Sequence, residues 1–283
     1  MKPDPNLARP IFVFASGWRS GSTLLQRLLC SHPQVMIWGE NRGLIRHLAE
    51  GLRAVDSLQE WSARHRAAHR ERGANAWMPL LNPPLSELER GLRDLLRRYY
   101  EAASHEEGAT RWGFKEVRYD ASEAAFLHRL FPGARFLFLV RHPSDCLASA
   151  RGTMREGRGL LVESGGPRAF IDQWVRIVES FHDGATDLPR HLLLYEDLVA
   201  SPAGAIAAIA RFLDLEEAGF DKRVFEHVER GYRRAPRLDP ADLRCLRAPR
   251  LWNTAARFGY EPPPELLASG GWLGRVRRSL TGR

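Results

Sequence analysis

The chain has 283 residues, 44% of them hydrophobic, and a formal charge of +8. That length admits one large α/β domain or two small ones, and the apolar content excludes a disordered chain. No stretch approaches the ~20 apolar residues that span a bilayer, and the opening MKPDPNLARP lacks the apolar run and cleavage site of a secretory signal, so a soluble, cytoplasmic protein is expected.

Cys30, Cys146 and Cys245 are scattered and show no CxxC spacing, which argues against a disulfide framework or a zinc site. The positive charge favours anionic partners. It is carried almost entirely by arginine, the only lysines being Lys2, Lys115 and Lys222.

In chain order, PIFVFA (10–15) reads as a buried strand that runs into a turn at Ser16 and Gly17. Leu24, Leu25, Leu28 and Leu29 follow at helical spacing until SHP stops the pattern. Residues 84–104 place Leu85, Leu88, Leu92, Leu95, Leu96 and Tyr99 on one helical face, and TRWGFKEV then reads as a short strand. Asp120 with Glu123 three residues on has the form of a capping box, with Phe126, Leu127, Leu130 and Phe131 as the buried face behind it. RFLFLV (135–140) is unbroken enough for a parallel strand covered on both sides. A helix starts near Ser144 or Asp145, another covers about 170–183, HLLLYEDL contains a strand, and AGAIAAIARFLDL is a last amphipathic helix. Strands alternating with helices give an α/β domain with a mainly parallel central sheet flanked by helices. Ligands of such sheets collect at the carboxyl ends of the strands, so the loops after residues 15, 117 and 140 are the places to seek chemistry.

The first of these loops, ASGWRSGST (15–23), is built like an anion site. Backbone N–H groups at a helix N-terminus point along the positive end of its dipole. Gly17 and Gly21 allow close wrapping, Ser22 and Thr23 add hydroxyls, and Arg19 supplies a guanidinium. A nucleoside-triphosphate loop reads G-x-x-x-x-G-K-[ST]. Here the glycines are one residue closer and Ser22 stands in the lysine position, which weakens the case for a magnesium-bound triphosphate. A tight strand-to-helix turn without a ligand is the plainer alternative.

FASGWRSGSTLLQRLL resembles the 5′-phosphosulfate loop of sulfotransferases that use 3′-phosphoadenosine-5′-phosphosulfate, and it includes Arg19, Ser20, Gly21, Ser22 and Thr23. FLFLVRHPSDCLASA is similar to the segment of that family that binds the 3′-phosphate, with Arg141 and Ser149 in the matching places. LLLYEDLVASP, which contains Tyr195, resembles a third family segment. The three occur in family order and bracket residues 11 to about 203. The resemblance implies a P-loop-like fold over a single domain, 1–283, transfer of a sulfuryl group to a hydroxyl or amine, adenosine 3′,5′-bisphosphate as product, and no metal.

Within that reading, GENR resembles the tyrosylprotein branch of the family, with Glu40 on the position of its general base and Arg42 beside it. Lys115, in WGFKE, matches a lysine of that branch that faces the phosphosulfate. Arg19 and Lys115 are then the cations for leaving-group charge. Each residue also has a plainer role: Glu40 capping a helix that begins near Asn41, Lys115 paired at the surface with Glu116, Arg141 paired with Asp145 or a carboxylate elsewhere. His142 and His47 are the alternative bases. RGYRRAPRLD (230–239) offers Arg233, Arg234 and Arg237 to close over the donor phosphates, and the glycine-rich 152–168 reads as a lid or acceptor-side loop. His65 and His69 are spaced for a metal on a helix but lack a third ligand, so a solvated face is expected.

The acceptor class stays open among peptide tyrosine, carbohydrate, lipid-linked and small phenol or alcohol. Residues 52–110, with Trp61, Trp77 and Met78, are expected to shape its pocket. The rivals are a nucleotide-dependent kinase and a non-enzymatic polyanion-binding protein. Nucleic acid is not an expected partner, and neither the oligomeric state nor the role of the basic tail WLGRVRRSLTGR is legible.

Overall fold

The computed structural model describes residues 9–151, 153–155, 158–184, 187–226 and 238–267. Five parallel strands make the central sheet: β1 (Ile11–Ala15), β2 (Val35–Trp38), β3 (Arg111–Glu116), β4 (Arg135–Val140) and, after a small antiparallel hairpin of β5 (Met154–Arg155) and β6 (Arg158–Gly159), β7 (Arg190–Leu194). Their order is β2-β3-β1-β4-β7, with Val13 opposite Lys115 and Leu137.

The period of two in a strand divides the core between the two faces of the sheet. Phe12, Phe14, Phe114, Phe136 and Phe138 fill one side, and Ile11, Val13, Ala15, Leu137 and Leu139 the other. The aromatic side is closed by α6 (Ala121–Leu130) and α9 (Pro167–Asp183), where Phe181 stacks on Phe138 at 4.2 Å. The aliphatic side is closed by α1 (Ser22–Cys30) and α11 (Pro202–Leu213). The connecting helices are α2 (Leu44–Asp56), α3 (Gln59–Arg72), α4 (Leu85–Leu96), α5 (Ala102–Glu106), α7 (Pro143–Arg151), α8 (Leu160–Glu163) and α10 (Tyr195–Ala200). Beyond α11, α12 (Pro240–Cys245), α13 (Pro249–Ala256) and α14 (Pro264–Leu267) complete the described residues.

The capping box at α6 forms: Asp120 Oδ1 accepts from Ser122 N at 2.9 Å, and Glu123 Oε2 accepts from Asp120 N at 2.8 Å. Three expectations change. The helix expected over 84–104 is interrupted by a π-turn at Arg97–Glu101. Its wider i→i+5 spacing puts Tyr100, four residues after the buried Leu96, against the core and leaves Tyr99 61% exposed, while Leu95, ahead of the turn, is 49% exposed. Second, α2 starts at Leu44 rather than near Asn41, because Gly43 (φ 96°) is its left-handed N-cap. No side chain caps it, so Glu40 has no capping role there. Third, the described part of 152–168, expected as a loop, forms a hairpin and a helical turn whose Leu160 and Leu161 are buried.

Candidate active site

The five strands of the central sheet are all parallel, so their carboxyl ends lie along one edge. From β2 to β7 that edge carries Glu40, Lys115, the loop 16–21, Arg141 and Tyr195 in spatial order. At about 4.8 Å between neighbouring strands, the row spans roughly 19 Å, with Lys115 and Arg141 two strand positions apart.

The loop after β1 owes its shape to left-handed backbone at Gly17 (φ 109°), Arg19 (φ 66°) and Gly21 (φ 89°). Ser16 N donates to Leu139 O of β4 at 2.9 Å, and Ser20 Oγ donates to Gly17 O at 2.7 Å. The Ser20 hydroxyl is therefore committed to the loop itself. Gly21 is the N-cap of α1 without a side-chain cap, so the first N–H groups, those of Ser22 and Thr23 among them, have no partner within the helix. Ser22 is buried and Thr23 exposed. A Cβ on Gly21 would lie 2.2 Å from Tyr195 Cδ2, so only glycine lets this ring pack against the loop.

Arg141 follows β4 and is 5% exposed. Its guanidinium lies 4.3 Å from the centre of the Tyr195 ring, and its Nη1 donates to Arg19 O at 2.9 Å. Arg19 Nε donates in turn to Ser149 Oγ of α7 at 3.0 Å. Arg19, Arg141, Ser149 and Tyr195 thus form one cluster against the uncapped end of α1. The side chain of Arg19 leans toward the Ser149 end of the row, not toward Lys115. Asp145, the suggested partner of Arg141, is exposed.

Lys115 meets Glu40. Its Nζ donates to Glu40 Oε1 at 2.5 Å, with the two side chains 9% and 16% exposed. The alternative pairing with Glu116 is wrong, since successive strand residues point to opposite faces. Glu116 is fully buried and accepts from Val117 N at 2.9 Å and from Arg118 Nε and Nη2 at 3.0 Å each. Arg42, beside Glu40, has left-handed backbone (φ 53°) and is exposed.

Behind Glu40, Asn41 Nδ2 donates to Tyr100 OH at 3.3 Å, Tyr119 OH donates to Asn41 Oδ1, and Ile45 N donates to Tyr119 OH at 3.0 Å. A cavity of about 270 Å³ opens here, lined by Trp38, Gly39, Glu40, Asn41, Tyr99, Tyr100 and Ala103. Of residues 52–110, Tyr99, Tyr100 and Ala103 line this cavity. Trp61 and Trp77 are surface residues, 53% and 78% exposed. Sequence reasoning missed Asn41, Tyr100 and Tyr119; adjacency to Glu40 was the only signal for the first.

The two alternative bases are engaged elsewhere. His142 Nε2 sits 2.9 Å from Glu261 O, between Trp252 and Tyr260, and its backbone N donates to Glu196 Oε1 at 3.0 Å. Tyr260 OH donates to Glu196 Oε2 at 2.6 Å, which ties the C-terminal segment to the exit of β4. Burial, then the Glu196 charge beside it, pushes the Tyr260 phenol far up. His47 is exposed on α2 near Glu50. His65 accepts from Leu80 N and His69 contacts Gly73 O, and no group of metal-ligand type is found among the described residues. Arg233, Arg234, Arg237 and the basic tail lie outside the described residues.

A profile of the sulfotransferase family matches residues 10–219. The protein-tyrosine sulfotransferase of Drosophila melanogaster is 25% identical over 227 residues, which are 79% of this chain and 41% of that protein. Protein-tyrosine sulfotransferase 2 of Gallus gallus is 24% identical, over 78% of this chain and 54% of that protein. The chain spans about half the length of the curated relatives it matches. Among solved structures, the sulfotransferase domain from the curacin biosynthetic pathway superposes with a TM-score of 0.53 at 17% identity, covering 91% of this chain and 99% of that one. The sulfotransferase domain from the Synechococcus PCC 7002 olefin synthase gives 0.52 at 20% identity, over 93% and 99%. Both similarities are of fold: a parallel sheet flanked by helices, of the P-loop-like kind.

Proposed function

The chain belongs to the sulfotransferase family, and from that footing we propose that it moves a sulfuryl group from 3′-phosphoadenosine-5′-phosphosulfate to an acceptor hydroxyl. The observation that carries this reading is the row of groups on the sheet edge: a carboxylate and an ammonium in contact at one end, guanidinium groups around an uncapped helix N-terminus at the other. Such a donor set suits a phosphorylated anion, because buried guanidinium and free N–H groups favour negative charge.

The donor supplies an electrophilic sulfur and a phosphate leaving group. Arg141 and Ser149 hold the 3′-phosphate, the loop N–H groups hold the 5′-phosphate, and Tyr195 backs the Arg141 guanidinium. Glu40 accepts the proton of the acceptor hydroxyl as its oxygen attacks sulfur. Lys115 meets the charge that gathers on the departing oxygen, while Arg19, expected from the sequence to share that task, has its Nε on Ser149 Oγ and stays with the 3′-phosphate end. Lys115 is already in contact with Glu40, which puts its ammonium beside the group that takes the proton.

Calorimetric binding of adenosine 3′,5′-bisphosphate in a metal-free buffer, with labelled-donor transfer to a panel of acceptors, tests the reading. Glu40→Gln should keep bisphosphate affinity and lose about 10²–10⁴-fold in kcat, the usual worth of a positioned base. Arg141→Ala should weaken bisphosphate binding first. Unchanged turnover in the glutamine variant removes Glu40 from the role, and preference for magnesium-ATP over the bisphosphate overturns the donor assignment in favour of the kinase.

A further inference from the structure

The cavity beside Glu40 has a second polar group whose proton no described residue takes up. Tyr100 OH accepts from Asn41 Nδ2 at 3.3 Å, and among the described residues it donates to nothing. The ring is fixed from several sides. It stacks on Trp112 at 8°, and its backbone carbonyl accepts from Ser104 Oγ at 2.7 Å. Ser104 Oγ accepts in turn from Trp38 Nε1 at 2.9 Å, so two walls of the cavity are tied together through one serine. The π-turn is what brings Tyr100 inward and leaves Tyr99 at the rim.

We propose that Tyr100, set by Asn41, is the hydrogen-bond donor that orients the acceptor oxygen beside Glu40, and that the acceptor entering this cavity is a slim, uncharged ring bearing a hydroxyl. The proposal rests on Glu40 being the base. A hydroxyl oxygen has one proton and two lone pairs. With its proton on Glu40 and one lone pair on the Tyr100 proton, the remaining lone pair is the one that faces sulfur, and the donated hydrogen bond stabilises the charge that appears as the proton leaves. Burial pushes the Tyr100 phenol up to about 12, so it keeps that proton throughout the neutral range. The volume, about 270 Å³, is below the range of sites for drug-sized ligands and suits a single ring. Glu40 is the charged side chain among the residues that line the cavity, and its carboxylate favours an uncharged acceptor over an acidic one.

Calorimetric titration of the bisphosphate-saturated protein with 4-methylphenol and with toluene reads the hydroxyl alone. The wild type should prefer 4-methylphenol, and Tyr100→Phe should narrow that preference by about 3–10-fold, the worth of one neutral hydrogen bond, while toluene affinity stays put. A general loosening of the pocket would instead weaken both ligands together. An unchanged ratio in Tyr100→Phe, or no preference for the phenol in the wild type, overturns the proposal. Glu40→Gln is run alongside. Full turnover in that variant with a narrowed ratio in Tyr100→Phe sinks the base assignment alone, and the reverse pattern sinks the role of Tyr100 alone.

Discussion

Replacing Gly21 with alanine puts a methyl group where the Tyr195 ring already sits. The new Cβ would lie 2.2 Å from Cδ2 and 2.4 Å from Cε2, on a residue whose φ is +89°. Left-handed backbone costs a residue with a Cβ about 1–2 kcal/mol. Overpacking a fitted ring adds about 1–3 kcal/mol. The sum, roughly 2–5 kcal/mol, lowers the melting temperature by about 4–10 °C at about 2 °C per kcal/mol for a domain of this size. Because the displaced ring carries the Arg141 guanidinium at 4.3 Å, bisphosphate affinity should fall as well, by about tenfold for each 1.4 kcal/mol lost at that site. Thermal melting and calorimetry on Gly21→Ala, Tyr195→Ala and the double variant separate the two costs. In the double variant the steric part vanishes and the backbone part remains, a coupling of about 1–3 kcal/mol. A Gly21→Ala protein that melts within about 1 °C of the wild type, or whose penalty is the same with and without the Tyr195 ring, refutes the packing argument.

Lys115→Met leaves the Glu40 carboxylate without this cation. At 9% and 16% exposure the loss should be about 2–3 kcal/mol in denaturant unfolding, just under the range for a fully buried pair, and Lys115→Met/Glu40→Gln should regain part of it. No recovery in the double variant would mean that the contact contributes nothing to stability. Tyr260→Phe removes the hydrogen bond to Glu196, worth about 1.5–3 kcal/mol to a charged acceptor, and should loosen the β4 exit enough to weaken bisphosphate binding. Equal affinity in both proteins would uncouple the C-terminal segment from the donor site. Glu179 is held below its ordinary value of 4.5 by Arg250 first, and by Thr254, against the opposing effect of its burial. A depressed carboxylate contributes stability that is present above pH 4.5 and lost as pH falls through the folded value. Glu179→Gln should therefore melt lower at pH 7 and show a shallower loss below pH 4.5 than the wild type.

The loops that matter were legible in the sequence because they combine strong local signals: an apolar strand, glycines at the turn, a helix behind. Arg19, Arg141 and Ser149 come together on the sheet edge for that reason. What the sequence does not display is contact at long range. Beside Lys115 in the chain stands Glu116, yet strand alternation turns that carboxylate into the core and leaves the lysine to a glutamate 75 residues away. The π-turn has no sequence signature of its own, so the period of an ordinary helix puts Tyr99 inward, whereas the protein buries Tyr100. Likewise Tyr195 is visible as part of a motif, but its packing against the missing Cβ of Gly21 depends on how β7 lies two strands from β1.

Backbone strain is distributed along this edge in an informative way. Among the described residues, Arg19, Arg42 and Asp214 are the non-glycine positions with positive φ, and the first two are on the loops that hold the arginine cluster and Glu40. Left-handed backbone at such residues costs about 1–2 kcal/mol each and persists only where neighbouring contacts over-determine it. At Arg19 those contacts are visible: Arg141 takes its carbonyl and Ser149 its side chain. Asp214 is different, a left-handed C-cap closing α11. The arginine end of the row is thus held by its own contacts, so an anion bound there, as proposed, need not spend free energy on folding the loop, and Ser149→Ala should release Arg19 and weaken the bisphosphate while leaving the Lys115–Glu40 contact, which begins two strand positions away, unaffected.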